Sequence, residues 1–369
     1  MKLMKTTEAV GQVLCHDITQ IIPGVKKDAV FRKGHIITKE DIPVLLSVGK
    51  DTIYIWENDE TMMHENEAAE VLYRMSACGT NSNETDGERH CEAAESGVFG
   101  GTASKMHPSP VKEGKIEVIA DCDGLLKVDS EKLKKVNSFG EMMIATRHGN
   151  TTVKKGDKLA GTRIIPLVIK KDKLEAASHI CDDGPILDIK PFVVRKAAII
   201  TTGNEVYHGR IQDAFTPVIE KKIAEFGAQM MFHEVFDDDD KKITDGCLRA
   251  IEAGAEIVFC TGGMSVDPDD KTPLAIKNTG ARIVSYGSPV LPGAMFLLSY
   301  YDAGDRLVPI CGLPGCAMYN KRTIFDIVLP RLMACDMILA DELARLGEGG
   351  LCLNCDVCTF PNCGFGKGF

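Results

Sequence analysis

The 369-residue sequence has few aromatic side chains, with one tryptophan, seven tyrosines and 6% aromatic residues in all. It is also short of positive charge: 43 Lys and Arg stand against 53 Asp and Glu, for a net charge of −10. No lysine- or arginine-rich block interrupts that acidic balance, so the electrostatic footprint required for duplex nucleic acid is missing. No apolar run reaches the length that spans a bilayer, which argues against a membrane protein. The opening residues Met1-Lys2-Leu3-Met4-Lys5-Thr6 hold no apolar core of the kind a signal peptide carries. The expectation is a cytoplasmic protein with neither nucleic acid nor membrane as partner.

Fourteen cysteines are present. A disulfide framework suits small secreted domains and is not expected here. Ten of the fourteen are scattered, several in apolar runs where cysteine behaves as a small hydrophobe. The remaining four cluster near the end of the chain.

The length predicts two or three domains. Residues 1–60 read as a β-rich module with strands at 11–14, 29–31, 35–37 and 52–56. A short helix over 39–48 is capped by Thr38 and stopped by Gly49. In 61–110, Met63, Ala69, Leu72 and Tyr73 are spaced for one face of a helix over 62–75. The stretch 76–110 has no periodicity and reads as either a mobile insert or a disordered segment. Residues 111–190 alternate short apolar runs with turn signals, a second β-rich domain, and Asp182-Asp183-Gly184-Pro185 marks its end. From 191 to 335 the pattern changes. Apolar β-branched runs at 197–202, 256–260, 282–285 and 307–311 alternate with helical patterns at 216–226, 240–253, 271–279 and 316–333. That alternation predicts a Rossmann-like three-layer α/β domain with a mostly parallel sheet. Residues 336–369 form a Cys-rich tail.

In such sheets ligands bind at the carboxyl ends of the strands. Those ends carry Thr202-Gly203-Asn204-Glu205, with Asp213 shortly after, then Val235-Phe236-Asp237-Asp238. Next comes Thr261-Gly262-Gly263-Met264-Ser265, continuing to Asp270-Lys271-Thr272-Pro273, followed by Leu291-Pro292-Gly293 and Leu313-Pro314-Gly315. Glycine turns let backbone N–H groups approach an anionic ligand. Carboxylates gathered beside a phosphate require a divalent cation between them. Glu205, Asp237 and Asp270, with Asp238 beside them, are therefore candidates for one Mg²⁺-assisted site. Taken singly, each motif also fits a plain turn or a solvated helix start; their joint order at successive strand ends is the stronger signal.

Over 195–335 these motifs resemble the molybdopterin-binding domain of molybdenum cofactor biosynthesis proteins. Thr202-Gly203-Asn204-Glu205 matches its opening T-G-[DN]-E motif, Val235-Phe236-Asp237-Asp238 its V-x-D-D element, and Thr261 to Pro273 its glycine-to-aspartate block. The first 60 residues are similar to the opening of clostridial-type molybdopterin-binding proteins, relatives of the molybdopterin molybdenumtransferases. The resemblance implies molybdopterin or its adenylated form as ligand. Thr202, Gly203, Asp213, Thr261, Gly262, Gly263, Ser265, Pro292, Gly293, Leu313, Pro314 and Gly315 would then lie at the cofactor, with Mg²⁺ on Glu205, Asp237, Asp238 and Asp270 and molybdate as substrate. It also implies a homo-oligomer and, as protein partner, a molybdoenzyme or another protein of the cofactor pathway. The chain departs from the transferases at Asp267, at Leu291-Pro292-Gly293-Ala294-Met295 and at Leu313-Pro314-Gly315-Cys316-Ala317, and it lacks an R-A-x-x-D-G-Y-A-like segment. Molybdate insertion therefore stands open beside simple binding, as a carrier or sensor would show. The same Thr202–Glu205 and Pro268–Thr272 motifs resemble the competence-damage-inducible proteins, a resemblance that implies a nucleotide pyrophosphatase as the alternative.

The tail places Cys352, Cys355, Cys358 and Cys363 within twelve residues. Their C-x-x-C-x-x-C spacing resembles ferredoxin-type iron–sulfur loops, with the fourth cysteine one residue late. Four thiolates equally suit zinc; a sulfur-handling or partner-docking tail, or a flexible reduced one, are the other readings. The nine histidines form no pair at metal-ligand spacing and read as solvated or internally satisfied.

Overall fold

The computed structural model describes residues 2–22, 26–55, 59–79, 105–265, 267 and 270–368. Trp56 of the expected strand 52–56, residues 80–104 of the expected insert, and Val266, Pro268 and Asp269 of the glycine-to-aspartate block lie outside the described residues. The chain divides into two compact units. One comprises Met1–Asp121, Val128–Arg147 and Lys155–Asp188; the other comprises Cys122–Lys127, His148–Lys154 and Ile189–Phe369.

In the first unit Lys2–Lys5 pairs antiparallel with Thr52–Ile55, and Ile18–Ile22 with Lys26–Phe31. Leu14, Ile18, Ile37, Leu45 and Ile53 close its small core. The predicted helix appears as Asp41–Ser47. Its start is fixed by the Asp41 carboxylate, which accepts from the Thr38 amide at 2.8 Å and the Thr38 hydroxyl at 2.9 Å. Gly49 ends it at φ +78°. The strands expected at 11–14 and 35–37 contract to isolated bridges, Val13 to Ile36 and Leu14 to Ile55. Gly11 and Gly34, at φ +83° and +87°, turn the chain away beside them. The helix expected from 62 begins later, at Glu65, and runs to Ala77. Met62–His64 is instead a strand paired with Val168–Lys170. The unit also contains a four-stranded antiparallel sheet in the order Met106–Pro108, Lys115–Ala120, Lys158–Ile164, Met142–Thr146.

The second unit holds the α/β domain. Its strands are β1 (Lys196–Thr202), β2 (Gln229–Phe236), β3 (Ile257–Thr261), β4 (Arg282–Tyr286), β5 (Leu297–Asp302) and β6 (Leu307–Leu313). They form one sheet in the order β2-β1-β3-β6-β5-β4. The first four are parallel, and β5 and β4 add an antiparallel edge. The helices that cover the sheet are α1 (Thr216–Ala224), α2 (Asp240–Glu252), α3 (Thr272–Asn278) and α4 (Ile324–Met333).

Strand residues alternate between two cores, which makes the three layers. Ala197, Ile199, Ile257, Phe259, Cys311 and Leu313 pack with α1 and α4. Ala198, Ile200, Val258, Cys260, Val308 and Ile310 pack with α2 and α3. The period of two in side-chain direction thus serves two apolar faces, which is why the central strands are apolar throughout. Cys247 and Cys260, with sulfurs 3.6 Å apart, are buried in the second core as free thiols.

The continuous helix predicted over 316–333 is broken. A short 3₁₀ turn covers Gly315–Met318, and α4 starts only at Ile324. Thr323 and Asp326 form a capping box there, the Asp326 carboxylate accepting from the Thr323 amide at 2.9 Å. That reciprocal cap fixes a helix start independently of the apolar periodicity.

Candidate ligand site at the carboxyl ends of the parallel strands

The turns that follow β1, β2, β3 and β6 lie together at one edge of the sheet, as the parallel pairing requires. The glycines predicted there do different jobs. Gly262 and Gly263 take φ of +81° and +55°. A Cβ on Gly262 would overlap the Thr202 carbonyl oxygen, and one on Gly263 would lie 2.7 Å from Thr272 Oγ1. Thr272 Oγ1 donates to the Gly262 carbonyl at 2.9 Å and lies 3.1 Å from Thr202 Oγ1. The turn is therefore wedged between β1 and the start of α3, and its glycines permit backbone packing. Gly293 is similarly used: a Cβ there would sit 2.7 Å from Ile324 Cβ, and the Pro292 carbonyl accepts from the Ile324 amide at 3.1 Å. Gly315 differs. It is exposed, a Cβ there would meet nothing within 4 Å, and its neighbours Leu313 and Pro314 are buried.

Beneath the turns lies a hydrogen-bonded cluster joining three strands and a helix. Asp213 accepts from Thr216 Oγ1 at 2.5 Å, from Thr201 Oγ1 at 3.0 Å and from the Phe215 amide at 2.8 Å. Burial works to raise the Asp213 pKa, but these donors outweigh it and hold the carboxyl below its ordinary value. His233 on β2 joins through Nε2, 3.1 Å from Thr201 Oγ1 and 3.6 Å from Asp213 Oδ2. Thr261 Oγ1 reaches Thr201 Oγ1 at 3.5 Å. The sequence placed Asp213 and Thr261 at the site and left His233 among histidines read as solvated or internally satisfied; it is internally satisfied, within this cluster. Its partner is twenty residues away along the chain, so no local spacing could have signalled it.

The predicted carboxylates are dispersed around the rim. Glu205 is exposed on the single-turn helix Asn204–Tyr207. Asp238 accepts from the Asn204 amide at 3.2 Å. Asp237 Oδ2 is 2.7 Å from Lys242 Nζ, while its Oδ1 is buried and has no hydrogen-bond partner. Asp270 is half-buried with its amide on the Asp267 carbonyl, and Ser265 is exposed. Among the described residues no group of three or more His, Cys, Asp or Glu side chains is placed to hold one metal ion. The expectation that Glu205, Asp237 and Asp270 converge on a single Mg²⁺ is thus not met by the side chains as they stand; Asp237 is paired instead with Lys242. The orphaned Asp237 oxygen still fits a single cation ligand, since an unpaired buried carboxylate oxygen costs free energy that a cation or donor would relieve.

The same finding covers the tail: Cys352, Cys355, Cys358 and Cys363 are not drawn into a zinc or iron–sulfur cage. Nor is the tail a flexible strand. Leu351 bridges Leu291 in parallel, with the Leu291 amide on the Gly350 carbonyl and the Cys352 amide on the Leu291 carbonyl, both 2.8 Å. Phe365 is buried with its ring 6.1 Å from that of Phe360, and Arg322 lies 5.0 Å over the Phe360 ring. Phe360 and Phe365, with Cys352 and Cys363, thus pack the segment on the α/β core, a role the metal-like spacing conceals.

Residues 198–334 match the family model described as "Probable molybdopterin binding domain", and residues 3–57 match a domain of unknown function (DUF8806). Among curated proteins, a "Putative competence-damage inducible protein" of Bacillus velezensis is 29% identical over 90 residues, 24% of this chain and 21% of that protein. The protein of that name in Clostridium kluyveri (strain ATCC 8527) is 26% identical over 156 residues, 37% of each chain. The chain thus spans between about a fifth and two fifths of the length of these two relatives. Among solved structures, the tungsten cofactor synthesizing protein MoaB of Pyrococcus furiosus is 18% identical with a TM-score of 0.30, over 38% of this chain and 88% of that one. The protein CinA of Thermoplasma acidophilum is 19% identical with a TM-score of 0.28, over 34% and 92%. No helix among the described residues is long and apolar enough to cross a membrane.

Proposed function

We propose that the α/β domain binds the phosphate of molybdopterin, or the diphosphate of its adenylated form, at the carboxyl ends of β1, β2, β3 and β6, and that the chain works in making or handling molybdenum cofactor. The observation that carries this reading is the molybdopterin-binding match over 198–334, which coincides with the part of the chain that builds this sheet edge. Gly315 is where a ligand comes closest to the backbone, because its Cα faces open space. Thr201, Thr216 and His233 hold Asp213 at the ends of β1 and β2, so these side chains are tied together before a ligand arrives. Asp237 would hold Mg²⁺ through Oδ1, with Glu205, Asp238 and Asp270 near the same rim. Magnesium commonly takes one or two carboxylates and completes its shell with water and ligand phosphates, so a full protein cage is not required. Bound there, the metal would neutralise and orient the phosphate oxygens.

Gly315→Val separates ligand contact from folding. The variant is expected to keep the wild-type unfolding midpoint, since the Cβ position at Gly315 is exposed and meets no protein atom within 4 Å. Its affinity for added molybdopterin should fall at least about tenfold through steric exclusion. Wild-type affinity in this variant would contradict the placement of the ligand. If the chain also inserts molybdate, Asp270→Asn is expected to abolish the accompanying AMP release, and full activity in that variant would remove Asp270 from the machinery. Tight pterin binding without such release would assign the chain to carrying or sensing the cofactor.

A second reading is favoured by the matches to competence-damage inducible proteins: hydrolysis of a pyrophosphate-linked dinucleotide at the same strand ends. Dinucleotide turnover in the absence of pterin would establish it in place of the first.

A further inference from the structure

The four tail cysteines separate into two pairs by environment. Cys352 and Cys363 are partly buried against the α1/α4 core. Cys355 and Cys358 are exposed, and the chain bends at the two residues between them. That bend is pinned from outside the tail: Lys321 Nζ donates to the Cys355 carbonyl at 3.3 Å and to the Asp356 carbonyl at 3.1 Å. The Phe360 amide and the positive charge of the Arg322 guanidinium bring the Cys358 thiol below its ordinary pKa. Arg322 is itself anchored, 2.9 Å from Asp326 and stacked on Phe360, so the cation beside the sulfur belongs to a fixed framework. Two thiols at C-x-x-C spacing, exposed, with a cation and an N–H donor on one of them, form the environment that favours nucleophilic exchange.

We propose that Cys355 and Cys358 are a dithiol that exchanges with external disulfides, Cys358 attacking and Cys355 resolving. In the first step the Cys358 sulfur attacks a disulfide RSSR; a Cys358–SR bond forms, the RS–SR bond breaks, and one RS⁻ leaves and takes a proton. In the second step Cys355 attacks the mixed disulfide, the Cys355–Cys358 bond forms, and the second RSH departs. The protein dithiol is oxidised by two electrons and the external disulfide is reduced to two thiols. The partner is therefore a small-molecule or protein disulfide, and the pair provides thiol chemistry separate from the pterin site.

The test uses the full chain, reduced and then treated with 2,2′-dithiodipyridine, a neutral reagent that the surrounding charges do not attract. Wild-type protein is expected to release two equivalents of thiopyridone in its fast phase and to yield a Cys355–Cys358 disulfide on peptide mapping. Cys358→Ser should slow the fast phase at least about tenfold. Cys355→Ser should release one fast equivalent and keep a thiopyridyl group on Cys358. Exposed Cys78 and Cys335 supply the slower background common to all three proteins. A fast phase that survives Cys358→Ser, or a disulfide mapped to Cys352 or Cys363, would overturn the proposal. So would a stoichiometric metal on the purified tail whose removal is needed before any thiol reacts.

Discussion

Asp336→Ala is expected to destabilise the α/β unit by about 3–5 kcal/mol, the range for removing one partner from a buried ionic network. Asp336 is 5% exposed and faces three cations: Arg331 Nε at 2.6 Å, Lys127 Nζ at 2.8 Å and Lys190 Nζ at 2.5 Å. Burial alone would raise its pKa, but hydrogen bonds from Lys127 and Lys190 and the charge of Arg331 bring it down to about 2. Arg331 is also buried and continues to Glu342 at 2.8 Å and to the Met337 carbonyl at 2.9 Å. Removing Asp336 would leave three like charges around an empty space. Asp341→Ala, which breaks only the exposed pair with Arg345, should cost no more than about 0.5 kcal/mol. Urea denaturation of the two variants makes the comparison, and equal midpoints would contradict the network's role. The sign of the pH effect follows from the lowered pKa. The stabilisation is fully present above the ordinary carboxylate value near 4 and is lost as pH falls from there through about 2.

Gly262→Ala is expected to cost about 2–5 kcal/mol and to abolish ligand binding as well. A left-handed backbone disfavours any side chain by about 1–2 kcal/mol, and overpacking adds about 1–3 kcal/mol. At φ +81° the new Cβ would also lie 2.9 Å from both the carbonyl carbon and Oγ1 of Thr202. The end of β1 and the turn after β3 would have to separate, moving Thr202 and Thr272 out of register. Gly209→Ala is the control: Gly209 has φ +67°, but nothing lies within 4 Å of its Cβ position, so only the backbone cost of about 1–2 kcal/mol applies. Thermal unfolding with pterin titration checks both, and a Gly262→Ala protein as stable as Gly209→Ala would refute the wedge.

The central strands β1, β3 and β6 were legible in the sequence because burial on both faces leaves them almost entirely apolar. β2 was harder to see: Gln229-Met230-Met231-Phe232-His233-Glu234 mixes polar and apolar residues because the strand is an edge of the sheet. β5 was also missed, since antiparallel return strands add no strand–helix alternation to the pattern. The break before α4 had a readable sign in Thr323-x-x-Asp326, which periodicity alone passed over. At the proposed site, motif order singled out turns that the parallel strands bring to one edge of the sheet but could not sort their glycines. Gly262 and Gly315 look alike in sequence, yet one packs against backbone and the other faces open space. That difference depends on the neighbouring strand, which local sequence does not contain. The tail shows the converse: metal-like spacing was obvious, while the docking through Phe360, Phe365 and Leu351 depends on contacts with distant residues.

Anaerobic purification of the full chain from a host that makes molybdenum cofactor, followed by oxidation and pterin fluorescence, tests the central claim most directly. Near-stoichiometric pterin is expected with the wild-type protein and its loss in Gly315→Val. Protein that purifies without pterin and fails to bind added molybdopterin would contradict it.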